Sequence, residues 1–179
     1  MKPILLLAAT AGLAALASAQ APQPEPLART QTEFDLTVRL PYPQAAALFG
    51  PEGERPWAGK HWDPKFLYPQ PARDTEGAVF TIHHGPFDAV WVNTAFSLDA
   101  RHFQYVYFIP GILVTVIDVR FTPRDANSTA VHVTYTRTAI TPEGNAHVAA
   151  LTEGDKKAAP DWQQAIDAYL ASSKPAAKP

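Results

Sequence analysis

Between Ala78 and Ile140 the chain runs in short segments of alternating apolar and polar residues, each halted by turn-forming residues. "AVFTIHH" stops at Gly85-Pro86, "DAVWVNTAFSL" near Asp99-Ala100, "HFQYVYFI" at Pro110-Gly111 and "ILVTVIDVRF" across Pro123 to Ser128, while "TAVHVTYTRTAI" ends the series. A period of two sends successive side chains to opposite faces, and connections this short join only antiparallel neighbours. The segment is therefore predicted to be a β-meander. Within "ILVTVIDVRF", Leu113, Thr115, Ile117, Val119 and Phe121 share one face, and Val116, Asp118 and Arg120 the other. The first set should look inward. By the same alternation Phe103, Tyr105 and Tyr107, and Val131, Val133, Tyr135 and Arg137, also face in.

The flanks complete the pattern. "EFDLTVRLP" reads as an earlier strand, and "PQAAALFG" as a short helix with proline early and glycine late. From Pro142 to Ala171 the period changes to three and four residues, with Val148, Leu151, Ala158, Trp162, Ile166 and Tyr169 on one side of a helix. Thr141 is placed to cap it. Pro160 interrupts it, since an internal proline deletes a backbone hydrogen bond, so the expectation is one helix kinked near residues 156 to 160 or two nearly collinear helices. The class is α+β.

Residues 1–19 carry a lysine, an apolar run from Ile4 through Leu16 and the small-x-small triplet Ala17-Ser18-Ala19, the pattern of a cleaved signal peptide. The run is shorter than the ~20 apolar residues of a spanning helix, so no stable membrane insertion is expected after cleavage. The mature chain is expected to be exported, in the periplasm or outside the cell. A flexible proline-rich spacer is expected over residues 20–32, one domain over 33–171 and a disordered tail over 172–179. Loss of the single lysine in residues 1–19 takes the formal charge from −2 to −3. That balance, without basic clusters, argues against nucleic acid as a partner.

Recognised chemistry is sparse. There is no cysteine, no H-E-x-x-H, no G-x-S-x-G, no Walker loop and no dinucleotide glycine pattern, so neither metal nor cofactor is expected. His83 and His84 are adjacent on a strand and point to opposite faces. His84 shares its face with Phe80 and Ile82 and is the one weak candidate for an acid or base; exposure or plain hydrogen bonding is the competing reading. Arg137 on an inward position demands a carboxylate. Glu143, Glu153 or Asp155 could supply it within the protein, or a ligand carboxylate or phosphate could do so.

The stretch "GERPWAGKHWDPKFLYP", residues 53–69, fits no period and reads as a stiff loop. Pro51 and Glu52 just before it, with its Gly53, Glu54 and Trp57, followed by Gly59, Trp62 and Pro64, resemble a pattern of the SRPBCC superfamily, which includes START-like, polyketide cyclase/dehydrase and lipid-transport proteins. Further matches are Trp91, Phe96, Tyr105, the Pro110-Gly111 turn and "YTRTAITPEGN", Tyr135 to Asn145. The likeness is to small bacterial members and spans about residues 33 to 170. It implies a helix-grip fold, in which a curved antiparallel sheet wraps a long C-terminal helix and leaves a cavity. Lys60 and His61 separate Gly59 from Trp62, where the family pattern has glycine and tryptophan adjacent.

The resemblance implies binding or transport of a small hydrophobic or amphipathic molecule. The ligand-lining residues expected are Trp57, Trp62, Tyr105, Tyr107, Thr115, Ile117, Tyr135, Arg137, Trp162 and Ile166. Trp57 or Trp62 should roof one end, with Glu54 and Arg55 holding the loop. A cyclase or hydrolase using the same cavity is the first alternative; a protein-interaction module with a closed core is the second.

Overall fold

The computed structural model describes residues 25–173. The signal-peptide segment, residues 20–24 of the spacer and residues 174–179 of the tail lie outside the described residues. The strands are β1 (Arg29–Val38), β2 (Lys65–Tyr68), β3 (Val79–His84), β4 (Phe87–Ser97), β5 (His102–Ile109), β6 (Leu113–Asp125) and β7 (Ser128–Ala139), and the helices α1 (Tyr42–Ala46), α2 (Pro142–Asp155) and α3 (Ala158–Ser172). All seven strands form one curved antiparallel sheet in the order β1-β7-β6-β5-β4-β3-β2. The predicted meander supplies β3 to β7, and its inward face is the one read from alternation. Phe103, Leu113, Thr115, Val119, Val131 and Val133 are all fully buried.

The first strand pairs with the last, Arg29 opposite Thr138 through Val38 opposite Thr129, so the sheet is completed by residues about as far apart as the domain allows. Order also starts earlier than the expected spacer boundary at residue 32. Asn145 accepts from the Ala28 N–H (2.7 Å) and donates to Glu25 and the Pro26 carbonyl, while Thr30 hydrogen-bonds Thr152 (2.8 Å). Side chains on α2 thus hold residues that composition alone marks as linker.

Two further boundaries differ from expectation. β2 lies inside the segment read as loop; it is a four-residue edge strand between prolines, too short for alternation to reveal. β6 continues through Pro123 to Asp125, with a register shift between them, because a proline near a strand end forfeits only one ladder bond.

The C-terminal segment forms two helices rather than one. α2 starts at the Thr141 cap, whose hydroxyl accepts from the Gly144 N–H (3.2 Å). The chain leaves helix at Lys156-Lys157 and re-enters at Ala158. Pro160 thereby falls in the first turn of α3, where a backbone N–H has no intrahelical acceptor and its loss costs little. Among the described residues no helix is long and apolar enough to cross a membrane.

Candidate functional site

Between the inward face of the sheet, the 50–64 loop and the two C-terminal helices lies a cavity of about 400 Å³. The sheet contributes His84, Trp91, Tyr107, Ile117, Tyr135 and Arg137; the loop contributes Glu54, Trp57, Ala58, His61 and Trp62; α2 and α3 contribute Leu151, Asp161, Trp162 and Ala165. His61 and Asp161 are exposed and mark the mouth, whereas Glu54, Trp57, Trp91 and Arg137 are buried. A second, inner space of about 40 Å³ lies under Pro51, Phe80, Tyr105 and Val119 and shares Glu54, Trp62 and Trp91 with the first.

The walls are built from aromatic rings in contact. Trp91 stacks on Tyr107 (centroids 4.4 Å apart) and on Phe80 (5.8 Å), and His84 lies parallel to both Trp91 and Tyr107. Trp62 meets Trp91 edge-on at 5.5 Å, and Trp57 meets Trp162 at 5.3 Å. The two loop indoles are pinned through their N–H groups: Trp57 donates to the Leu48 carbonyl (2.7 Å) and Trp62 to the Pro51 carbonyl (3.0 Å). Arg55 holds the loop from outside by pairing with Glu52 (2.7 Å) and Asp63 (3.1 Å) and donating to the Pro64 carbonyl. Asp74 holds its start, accepting from the Glu52 (2.9 Å) and Gly53 (3.0 Å) N–H groups.

Glu54 does something else. Its Oε1 accepts from the Gly50 N–H (3.2 Å), and its second oxygen has no hydrogen-bond partner among the described residues. Burial, opposed by the Gly50 hydrogen bond and reinforced by the charge of Asp74, pushes its carboxyl up to about 8. Burial also raises the Tyr105 and Tyr135 phenols, and the Glu54 charge adds to both. Burial, with the charges of His61 and His83, lowers His84 and favours its neutral form.

No protein-family model matches the chain, and no curated protein matches it. Solved structures do. Norcoclaurine synthase from Thalictrum flavum superposes with a TM-score of 0.61 at 12% identity over 83% of this chain and 97% of that one. A conserved protein from Geobacillus kaustophilus gives 0.59 at 14% identity over 80% and 97%, and Ara h 8.0201 gives 0.56 at 12% over 82% and 100%. The chain shares the helix-grip fold of these structures.

Within the helix-grip cavity the predicted residues distribute unevenly. Trp57, Trp62, Tyr107, Ile117, Tyr135, Arg137, Trp162 and His84 border the larger space, and Tyr105 borders the inner one. Thr115 and Ile166 border neither. Thr115 is wholly buried, opposite Tyr107 on β5 and Arg137 on β7, and those longer side chains reach the space instead. Ile166, one turn after Trp162, is wholly buried in the core.

Arg137 finds its carboxylate inside the protein. Its guanidinium grips both oxygens of Asp155 at the end of α2, the Nη2 bond being 2.9 Å, and its carbon lies 4.4 Å from the Tyr135 ring centroid. Asp155 also accepts from the Thr32 hydroxyl. Glu54 and Arg55 are the residues expected to tie down the loop; Arg55 does so with Asp74, and Glu54 adds its bond to the Gly50 N–H while also facing the cavity. Nothing in the spacing of a proline-rich loop signals this. Trp91, by contrast, follows from the alternation of β4, where Ala89, Trp91 and Asn93 are all buried. Among the described residues no three His, Asp or Glu side chains converge as a metal site.

Proposed function

We propose that this chain binds a small hydrophobic or amphipathic molecule in the space between the sheet and the C-terminal helices. One observation carries the reading: all four tryptophans of the chain line one cavity of about 400 Å³, within the size range of small-molecule sites. Several polar tips sit among the rings. The Trp91 Nε1, His84 Nε2 and Tyr105 hydroxyl are buried without partners among the described residues, and an unpaired buried polar group costs about 1–3 kcal/mol. A ligand or water that engaged them would recover part of that cost.

Incubation of the folded protein with lipid and metabolite extracts, followed by native mass spectrometry, tests the proposal. Retention of a small molecule is expected, and Ala165→Trp, which fills the cavity from α3, should abolish it. Retention unchanged by Ala165→Trp, or no retention at all, would overturn it.

A second reading rests on Glu54. A carboxyl held neutral at pH 7 beside an apolar space is the state a general acid requires, so a cyclase or hydrolase using the same cavity would employ Glu54 rather than His84. Loss of turnover in Glu54→Gln with ligand retention preserved would support it. Export belongs to the same proposal, because a cavity protein bearing residues 1–19 as a leader would act outside the cytoplasm; N-terminal sequencing of the mature protein should begin at Gln20.

A further inference from the structure

The charges around the cavity are asymmetric. The one arginine in its wall is already answered by Asp155, and Arg137 itself rests on the Tyr135 ring. Burial favours the neutral form of His84. What remains is Glu54, with one oxygen free of partners among the described residues, and, at the mouth, Asp161 and the exposed His61. Around them stand the indoles of Trp57, Trp62, Trp91 and Trp162 and the Tyr107 ring.

An aromatic face is electron-rich and attracts a cation within about 6 Å of its centroid, most strongly for tryptophan and most of all where water is excluded. A carboxylate adds a charge-assisted hydrogen bond to any N–H⁺ donor. A purely apolar guest would leave the Glu54 oxygen unmatched, and an anionic guest would meet two carboxyl groups. A guest with an apolar body and a protonated amine answers both the rings and the carboxyl. Arg137 over Tyr135 shows the same pairing of cation and ring within the protein's own side chains.

We infer that the cavity selects an organic ammonium: a protonated amine on an aromatic or aliphatic body, seated between the Glu54 carboxyl and the tryptophan faces. The inference rests on the ligand-binding reading and narrows it to a class. Burial holds the empty Glu54 up to about 8, and an ammonium within hydrogen-bonding distance stabilises its charged form, so the pair forms as the site fills.

Isothermal titration at pH 8 with 4-phenylbutylamine, 4-phenylbutanol and 4-phenylbutyrate separates the cases, since the three share a body and differ in charge. The amine should bind at least about tenfold tighter than the alcohol, a difference of ordinary size for one desolvated cation–π contact plus one charged hydrogen bond, and the acid should bind weakest. Glu54→Gln should weaken the amine more than the alcohol and so narrow the preference, the part owed to the aromatic rings remaining. The discrimination is read on the unmodified protein and so does not depend on the variant folding. Equal binding of amine and alcohol, or preference for the acid, overturns the ammonium class while leaving hydrophobic binding in place. Failure of all three overturns the binding reading together with the inference.

Discussion

Glu54 is 6% exposed and makes one hydrogen bond, yet it stays in the wall of a cavity where leucine would pack more easily. Its protonation leaves a thermodynamic trace. The carboxyl titrates near 4.5 when exposed and at about 8 when folded. Below 4.5 both states hold the proton, and between the two values only the folded state does. Stability is therefore fullest at low pH and is lost as pH rises through about 8, with a slope approaching about 1.4 kcal/mol per unit. Asp74, Tyr105 and Tyr135 are the titratable neighbours that sense or reinforce this charge. Urea unfolding at pH 5, 6, 7 and 8 should show the decline, and Glu54→Gln should flatten it; parallel curves for the two proteins would refute the assignment. Such a residue is hard to see in sequence. Glu52 and Glu54 sit two apart in the same proline-rich loop, and only the fold turns one to solvent and the other to the cavity.

Among the elements, α2 is fastened at both ends. Its start needs Gly144, since a Cβ there would lie 2.1 Å from the Ile112 carbonyl oxygen in the turn between β5 and β6. Backbone cannot yield as a flexible side chain would. Gly144→Ala should cost about 1–3 kcal/mol through this overlap, measured as a lower denaturant midpoint. Its end needs Asp155, which reaches Arg137 on β7 and Thr32 on β1. Asp155→Ala would strand a buried guanidinium at a cost of about 3–5 kcal/mol, whereas Arg137→Met with Asp155→Leu should restore most of the loss. Thermal melts of the single and double variants decide the point; equal damage in both would mean that packing, not charge, holds the corner. The elements were largely legible because the strands repeat every two residues and the helices every three or four. The demand of Arg137 for a carboxylate was legible as well. Its choice of Asp155 over Glu143 or Glu153 was not, because all three lie within a few turns of helix and only docking on the sheet brings one into range. β2 escaped notice for the opposite reason: four residues are too few to show a period.

For the molecule as a whole, the order β1-β7 means that the N-terminal strand covers the edge of the C-terminal one and also meets α3. The other edge of β1 is partly closed in turn by Gln163 of α3, whose amide accepts from the Thr37 N–H and donates to the Thr37 carbonyl, both at 3.0 Å, as a neighbouring strand would. A chain started at residue 39 would lose these bonds together and expose the length of β7. It should fail to unfold cooperatively and should show poor amide dispersion by NMR; a cooperative transition near that of the full chain would refute this. The broken helix has a different kind of consequence. The half before Lys156-Lys157 is bound to the sheet through Asp155, while the half after it carries Asp161, Trp162 and Ala165 into the cavity wall. Yet each half does both jobs, since α2 also lends Leu151 to the cavity wall and α3 also closes the β1 edge through Gln163. Because Trp162 and Gln163 are neighbours on α3, one facing the guest and the other the β1 edge, a descendant that traded one guest for another would have to change side chains between positions that the sheet holds fixed.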